Sequence, residues 1–238
     1  DLVTGVQTCA LPICESARKR YWARAMAGWP HFARATPNAT HRHLAALEQA
    51  GRIGTLVTQN VDGLHQRAGS NRVIDLHGRL DQVLCLTCGL RLTRETVQSR
   101  LAALNPQWVD VKASAAPDGD ADLDPARTRD FRVAECEHCG GLLKSDVVFF
   151  GENVPKSIVN NAMDALTKSD LLLVVGSSLM VYSGFRFVRA ALQAGTPVAI
   201  VNQGKTRADD VATVKVDAPA ATTLAALCEK VQIGRAHV

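Results

Sequence analysis

Apolar positions recur along this chain at two periods, and the switches between them outline its elements. Residues 15–29 space their apolar side chains as a helix with a basic flank does. Residues 39–50 predict a second helix, with Leu44 and Leu47 inward and Gly51 as the stop after it. Ile53, Leu56 and Val57 predict a strand over 53–58, and "RVIDLHG" (72–78) a short strand running into a loop. From Leu80 to Lys144 the pattern breaks up, and its polar middle, 114–130, predicts a surface loop. Regularity then returns. "DVVFF" (146–150) is a short apolar segment, and 155–169 a helix with Pro155 at its start, where the missing N–H is harmless. "LLLVVG" (171–176) and "PVAIVN" (197–202) are continuous apolar runs, typical of parallel strands buried on both faces. Between them 184–195 is a helix ended by Gly195; a strand over 211–216 and a helix over 219–231 close the series. Strand alternating with helix predicts an α/β chain with a Rossmann-like, doubly wound parallel sheet, and there is no internal repeat.

Composition narrows the function classes. The 238 residues suffice for one large domain, or one domain with an insertion. A hydrophobic share of 47%, a charged share of 21% and a net charge of +4 suit a soluble globular protein. The charge is too mild to argue for nucleic acid, and no apolar run approaches the roughly 20 residues that span a bilayer. The first residues lack a basic start followed by an apolar core, so a cytoplasmic location is expected by default. Both ends, 1–13 and 233–238, lack any period; they read as non-native read-through or as frayed termini, and carry no weight in the fold.

Four of the seven cysteines form "CLTCG" and "CEHCG", that is Cys85 and Cys88, then Cys136 and Cys139. Each CxxC-Gly is a knuckle that aims two thiolates at one ion, and four thiolates suit a tetrahedral, structural Zn²⁺. Forty-seven residues lie between the pairs, so the module at 80–144 contains a loop. Redox pairs or unpaired thiols are the alternatives. His138 lies between two of the cysteines and is expected to be exposed; Cys9, Cys14 and Cys228 are expected bystanders.

Three strand ends carry polar groups instead of a simple turn: Gln59, Asn60 and Asp62; Gly176, Ser177 and Ser178; Asn202 and Gly204. In an open parallel sheet all three would face one edge, where ligands bind; small residues let a ligand approach the backbone, and hydroxyls meet phosphate or ribose. His77 also follows a strand. It is either a structural histidine or, beside a nucleotide, a general base.

At "TQNVDGLHQRAGS", "LHG", the two CxxC pairs, "GGLLKSDVVFFGE", "VVGSSL" and "VNQG", in that order, the sequence resembles the sirtuin family of NAD-dependent protein-lysine deacylases. The resemblance covers roughly residues 17–231, and "RKRYWARAMAGWP" and "VVFFGENVP" look most like the class II branch, which includes a mitochondrial member. It implies a Rossmann-like NAD-binding domain over 14–79 and 145–232, partly helical over 14–50, and a zinc module over 80–144. It implies that the acyl oxygen of an acyl-lysine attacks the ribose carbon bearing nicotinamide, with His77 as base, giving free lysine and O-acyl-ADP-ribose. Asn60 and Asp62 would hold the nicotinamide and its ribose, beside Gln59 and Val61. Gly176, Ser177 and Ser178 would lie by ribose and phosphate, Asn202, Gln203 and Gly204 by the adenine ribose, and Ala220 at the adenine. Val147, Phe149 and Gly151 would flank the acyl-lysine, whose backbone pairs as an added strand. Partners would be acyl-lysine proteins or peptides, met by a monomer without nucleic acid or membrane.

Tyr21 and Arg24 make Y-x-x-R, which looks like the pair that reads carboxylate-bearing acyl groups in some sirtuins; the alternative is a basic helix face. The family's first strand, its Gly-Ala-Gly loop and its Pro-Asp-Phe/Tyr-Arg segment have no counterpart. The chain therefore reads as truncated at its amino end, with weak NAD binding and a tendency to aggregate. A zinc-stabilised module that binds acyl-lysine or NAD without turnover, and a protein ADP-ribosyltransferase, are the rival readings.

Overall fold

The computed structural model describes residues 14–109, 111, 125–149 and 151–233; residues 1–13, 234–238 and most of the loop expected at 114–130 lie outside them. The chain divides into two compact units, one of Asp1–Ala35 with Gly78–Gly151, the other of Thr36–His77 with Glu152–Val238.

The first unit holds helix α1 (Glu15–Ala33), strands β3 (Gly78–Cys85), β4 (Arg91–Thr93) and β5 (Leu143–Val147), and helix α4 (Arg94–Leu104). The strands form an antiparallel sheet in the order β4-β3-β5. Its core joins Trp22, Ala23 and Met26 of α1 to Val83, Val97, Leu101, Trp108, Phe131 and Leu143. The Arg94 guanidinium is buried between the Trp22 and Trp29 rings and donates to the Ala25 carbonyl at 3.1 Å. Helix α1 runs past its expected end, through Pro30 to Ala33. Pro30 has no N–H for the Met26 carbonyl one turn back. Gln98 of α4 supplies one instead, its Nε2 donating to that oxygen at 3.0 Å.

The second unit holds α2 (Ala39–Gln49), β1 (Leu56–Thr58), α3 (Leu64–Arg67), β2 (Val73–Asp75), α5 (Lys156–Thr167), β6 (Leu172–Val175), α6 (Tyr182–Ala194), β7 (Val198–Val201), β8 (Val214–Val216) and α7 (Ala220–Ile233). All strand pairing here is parallel, in two sheets: β1-β2 and β6-β7-β8. Among the described residues β1 pairs only with β2, and β6 only with β7. Successive side chains on a strand point to opposite faces, and here the two faces meet different helices. Val174 and Ile74 join Leu166 of α5 and Phe187, Val188 and Ala191 of α6. Val175 and Leu56 join Leu44 and Leu47 of α2 and Leu224 of α7. Helices thus cover both faces, the doubly wound plan expected from the continuous apolar runs. Asn38 caps α2, accepting the His41 N–H at 3.2 Å, and Gly195 ends α6 at φ 71°.

Candidate active site and metal centre

The two CxxC turns are built alike. The Gly89 N–H donates to the Cys85 carbonyl at 3.0 Å, and the Gly140 N–H to the Cys136 carbonyl at 2.7 Å. Each turn brings its two thiols toward the other pair. Cys85 and Cys139 sulfurs lie 3.6 Å apart, Cys88 and Cys136 sulfurs 3.8 Å, and all four lie within 4.8 Å of one another. Zn–S bonds of about 2.3 Å at the corners of a tetrahedron put sulfurs roughly 3.8 Å apart, so the donor set fits zinc. Four thiols this close cannot all ionise without a cation. The Cys88 N–H pulls Cys85 down to about 6. Around Cys139 the Gly141 N–H acts in the same direction, but the thiols of Cys88, Cys85 and Cys136 outweigh it and push that group up to about 12. His138 is exposed and lies outside the cluster, as expected.

The residues expected to flank an acyl-lysine also lie in the first unit. Val147 ends β5, opposite Gly78 of β3. Phe149 meets the Tyr21 ring edge-on at 5.3 Å and the Lys144 ammonium at 4.5 Å, and Gly151 is exposed. Tyr21 and Arg24 lie one turn apart on α1, and the Tyr21 hydroxyl bonds the Ser145 hydroxyl at 2.6 Å. The Gly of "LHG" has a steric reason. At φ 78° a Cβ on Gly78 would stand 2.0 Å from the Asp146 carbonyl oxygen.

In the second unit, the polar residues after β1, β6 and β7 take distinct jobs. The Asp62 carboxylate accepts the Leu64 N–H at 2.9 Å and so anchors the first turn of α3. The Asn60 N–H is held by Thr58 Oγ1 at 3.1 Å while its side chain is exposed, and Val61 is half-buried beside it. After β6 the backbone turns at Gly176, Ser177 Oγ accepts the Leu179 N–H at 3.2 Å, and Leu179 is buried at φ 58°. The Arg207 N–H holds the Ser178 carbonyl at 2.9 Å. After β7, Asn202 Nδ2 donates to the Gln203 carbonyl at 2.8 Å, and the Gly204 N–H donates to Asp217. Ala220 opens α7. Gly176, Ser178, Gln203 and Gly204 are exposed. Carboxyl ends of parallel strands carrying open backbone, hydroxyls and amides fit a dinucleotide.

His77 sits in a closed set of hydrogen bonds. Its Nδ1 faces the Gln59 carbonyl at 3.1 Å and its Nε2 faces the Ser183 hydroxyl at 3.0 Å, while Gln59 Nε2 donates to that same hydroxyl at 3.0 Å. Burial lowers the His77 pKa; the Gln59 carbonyl opposes this, and the charge of Arg186 adds to it. The Arg186 Nε is buried without a hydrogen-bond partner among the described residues, while its guanidinium lies over the Tyr182 ring at 5.4 Å. His65, four residues before Gly69, is half-buried against His41, ring centroids 4.6 Å apart. Ser183, Gly184 and Arg186 were absent from the residues predicted from sequence. Their signal is a small hydroxyl residue opening the helix after a ligand-binding strand end, "VYSG", which is weak in isolation.

Comparison with known proteins adds four observations. Residues 8–183 match the model of the Sir2 family. A protein of Bradyrhizobium diazoefficiens named NAD-dependent protein deacetylase 2 is 56% identical over 90% of this chain and 78% of its own length. A Xanthomonas campestris pv. campestris protein named NAD-dependent protein deacetylase is 58% identical over 89% of this chain and 72% of its own. A solved structure described as Sir2 with a p53 peptide and NAD+ superposes with a TM-score of 0.74 at 30% identity, over 98% of this chain and 87% of that one.

Proposed function

The chain belongs to the Sir2 family, and on that premise we propose that it is an NAD-dependent protein-lysine deacetylase, with His77 as its general base and a structural zinc held by Cys85, Cys88, Cys136 and Cys139. The observation that carries the reading is the held imidazole. A carbonyl oxygen can only accept, so Gln59 fixes the proton on Nδ1 and leaves the Nε2 lone pair of a neutral ring as the acceptor. Burial and Arg186 keep the ring neutral near physiological pH, which is the state a base must start from.

NAD, when bound, supplies an electrophilic ribose carbon and nicotinamide as leaving group. The residues of this chain bind and orient. We assign Gln59, Asn60, Val61 and Asp62 to the nicotinamide ribose end. Gly176, Ser177 and Ser178 take the phosphates and ribose, and Asn202, Gln203, Gly204 and Ala220 the adenosine end. Val147, Phe149 and Gly151 are assigned to the acyl-lysine, a substrate class supported by a similar solved structure described as Sir2 bound to acetylated peptide. A zinc held by the sulfurs of Cys85, Cys88, Cys136 and Cys139 would keep no open position for chemistry and would serve the fold.

The same reading divides the chain into an NAD-binding domain over 14–79 and 145–232 and a zinc module over 80–144. The two compact units support that division in outline, with α1 grouped beside the cysteines. "RKRYWARAMAGWP" and "VVFFGENVP" support the class II branch. The same reading takes the chain as a monomer acting in the cytoplasm without nucleic acid or membrane; the mild net charge supports the part about nucleic acid, and no described helix is long and apolar enough to cross a membrane.

The test is nicotinamide release from NAD in the presence of an acetyl-lysine peptide. Release should depend on the peptide and yield O-acetyl-ADP-ribose. His77→Ala should cut it by roughly a hundred-fold or more while leaving one zinc per chain. A His77→Ala protein as active as the wild type would sink the reading.

A further inference from the structure

We propose that Ser183 is a positioning residue for His77: its hydroxyl holds the imidazole Nε2 in the free protein and yields that nitrogen to the substrate hydroxyl. The inference rests on the deacetylase reading, which names the base but not what aims it. Three observations carry it.

The first is the direction of the hydrogen bonds. With Nδ1–H committed to the Gln59 carbonyl, Nε2 can only accept, so the hydroxyl 3.0 Å away donates to it. The Ser183 oxygen in turn accepts from Gln59 Nε2–H. One residue, Gln59, thus holds the base through its backbone and the base's partner through its side chain. The second is burial. Ser183 is only 9% exposed, so its hydroxyl cannot simply exchange these partners for bulk water. The third is the neighbour. A Cβ on Gly184 would stand 2.7 Å from Gln59 Oε1, so the absence of a side chain there is what lets the Gln59 amide reach Ser183. Ser183 also stands in the first turn of a 13-residue helix, α6, a rigid mount for a side chain that must aim another.

Exchange at Nε2 is like for like. A substrate hydroxyl that replaces the Ser183 hydroxyl leaves the nitrogen bonded throughout, so the half-buried ring never bears an unsatisfied acceptor. Without Ser183 that acceptor is empty in the free protein, and the ring is held at one nitrogen only.

The experiment uses protein labelled with ¹⁵N in its histidines, as wild type, Ser183→Ala, Ser183→Thr and Gly184→Ala. It reads the Nε2 resonance of neutral His77, and kcat and KM for NAD and an acetyl-lysine peptide. In Ser183→Ala the resonance should move to the position of an unbonded nitrogen. There kcat should fall roughly ten-fold, with both KM values nearly unchanged. Ser183→Thr should restore both readouts, and Gly184→Ala, which pushes the Gln59 amide away, should reproduce part of the loss. A Ser183→Ala protein with an unmoved Nε2 resonance overturns the inference, as does one whose loss Thr fails to restore. A wild type that releases no nicotinamide overturns the deacetylase reading instead, and the resonance then decides alone whether Ser183 holds His77.

Discussion

His77, His41 and His65 share one physical circumstance: each is partly buried in the second unit, and burial lowers each pKa. For His41 and His65 the charge of Asp62 opposes the shift, and for His65 the nearness of His41 adds to it. A folded-state pKa below the unfolded value of about 6.5 means that the unfolded chain binds protons first as pH falls. Stability is therefore fully present above about pH 6.5 and is lost as pH drops below it. Thermal melts followed by far-ultraviolet circular dichroism should be flat from pH 8 to about 6.5 and then decline. His65→Gln should shallow the decline; an unchanged slope would remove His65 from the account. At the other candidate site, Arg24→Met should lower any preference for succinyl- over acetyl-lysine peptide, by roughly ten-fold if the guanidinium forks onto a carboxylate. Equal preference in both proteins would leave Arg24 a surface charge.

Helix α1 shows how far sequence reasoning reaches and where it stops. Its apolar spacing predicts the helix, and Pro30 suggests an end at 29, because proline removes a helical N–H. The end lies at Ala33 because Gln98, in an element 65 residues further on, supplies the missing donor. No local pattern carries that. Gln98→Ala should leave the Met26 carbonyl unpaired and cost about 1–3 kcal/mol in a urea titration. The same limit applies to β3, β4 and α4, which the irregular stretch after Leu80 conceals. β3 bulges against β5 between Gly78 and Val83, so its inward positions fall out of simple alternation. Parallel strands β6 and β7 were legible because burial on both faces writes a continuous apolar run. The four cysteines were legible because metal binding depends on residue type and short spacing, whereas residue type alone left His77 open between a structural and a catalytic role and only the family resemblance singled it out. Ser183 was not legible, since its partners lie 106 and 124 residues away. Gly78→Ala should destabilise the β3–β5 pairing by about 2 kcal/mol or more, since the Asp146 carbonyl blocks a methyl that φ 78° already disfavours. Hydrogen exchange at β5 amides would register the change; unaltered protection would mean the backbone absorbs it.

For the molecule as a whole, the zinc ties together distant parts of one unit. Cys85 ends β3, and Cys136 and Cys139 stand just before β5, so the ion would fasten the same two strands that the sheet joins. Removing it with a strong chelator, or replacing Cys136 by Ser, should loosen the first unit's core. Metal content and thermal melting should fall together; a Cys136→Ser protein with full zinc and an unaltered melt would contradict this. The chain's three tryptophans, Trp22, Trp29 and Trp108, all lie buried in that cysteine-bearing unit. Light absorbed at the red edge of the indole band therefore illuminates one unit and leaves the other dark. Emission from this protein is a native optical gauge of the zinc-bearing half, and an intrinsic-fluorescence curve taken as the unfolding of the entire chain would describe only that half.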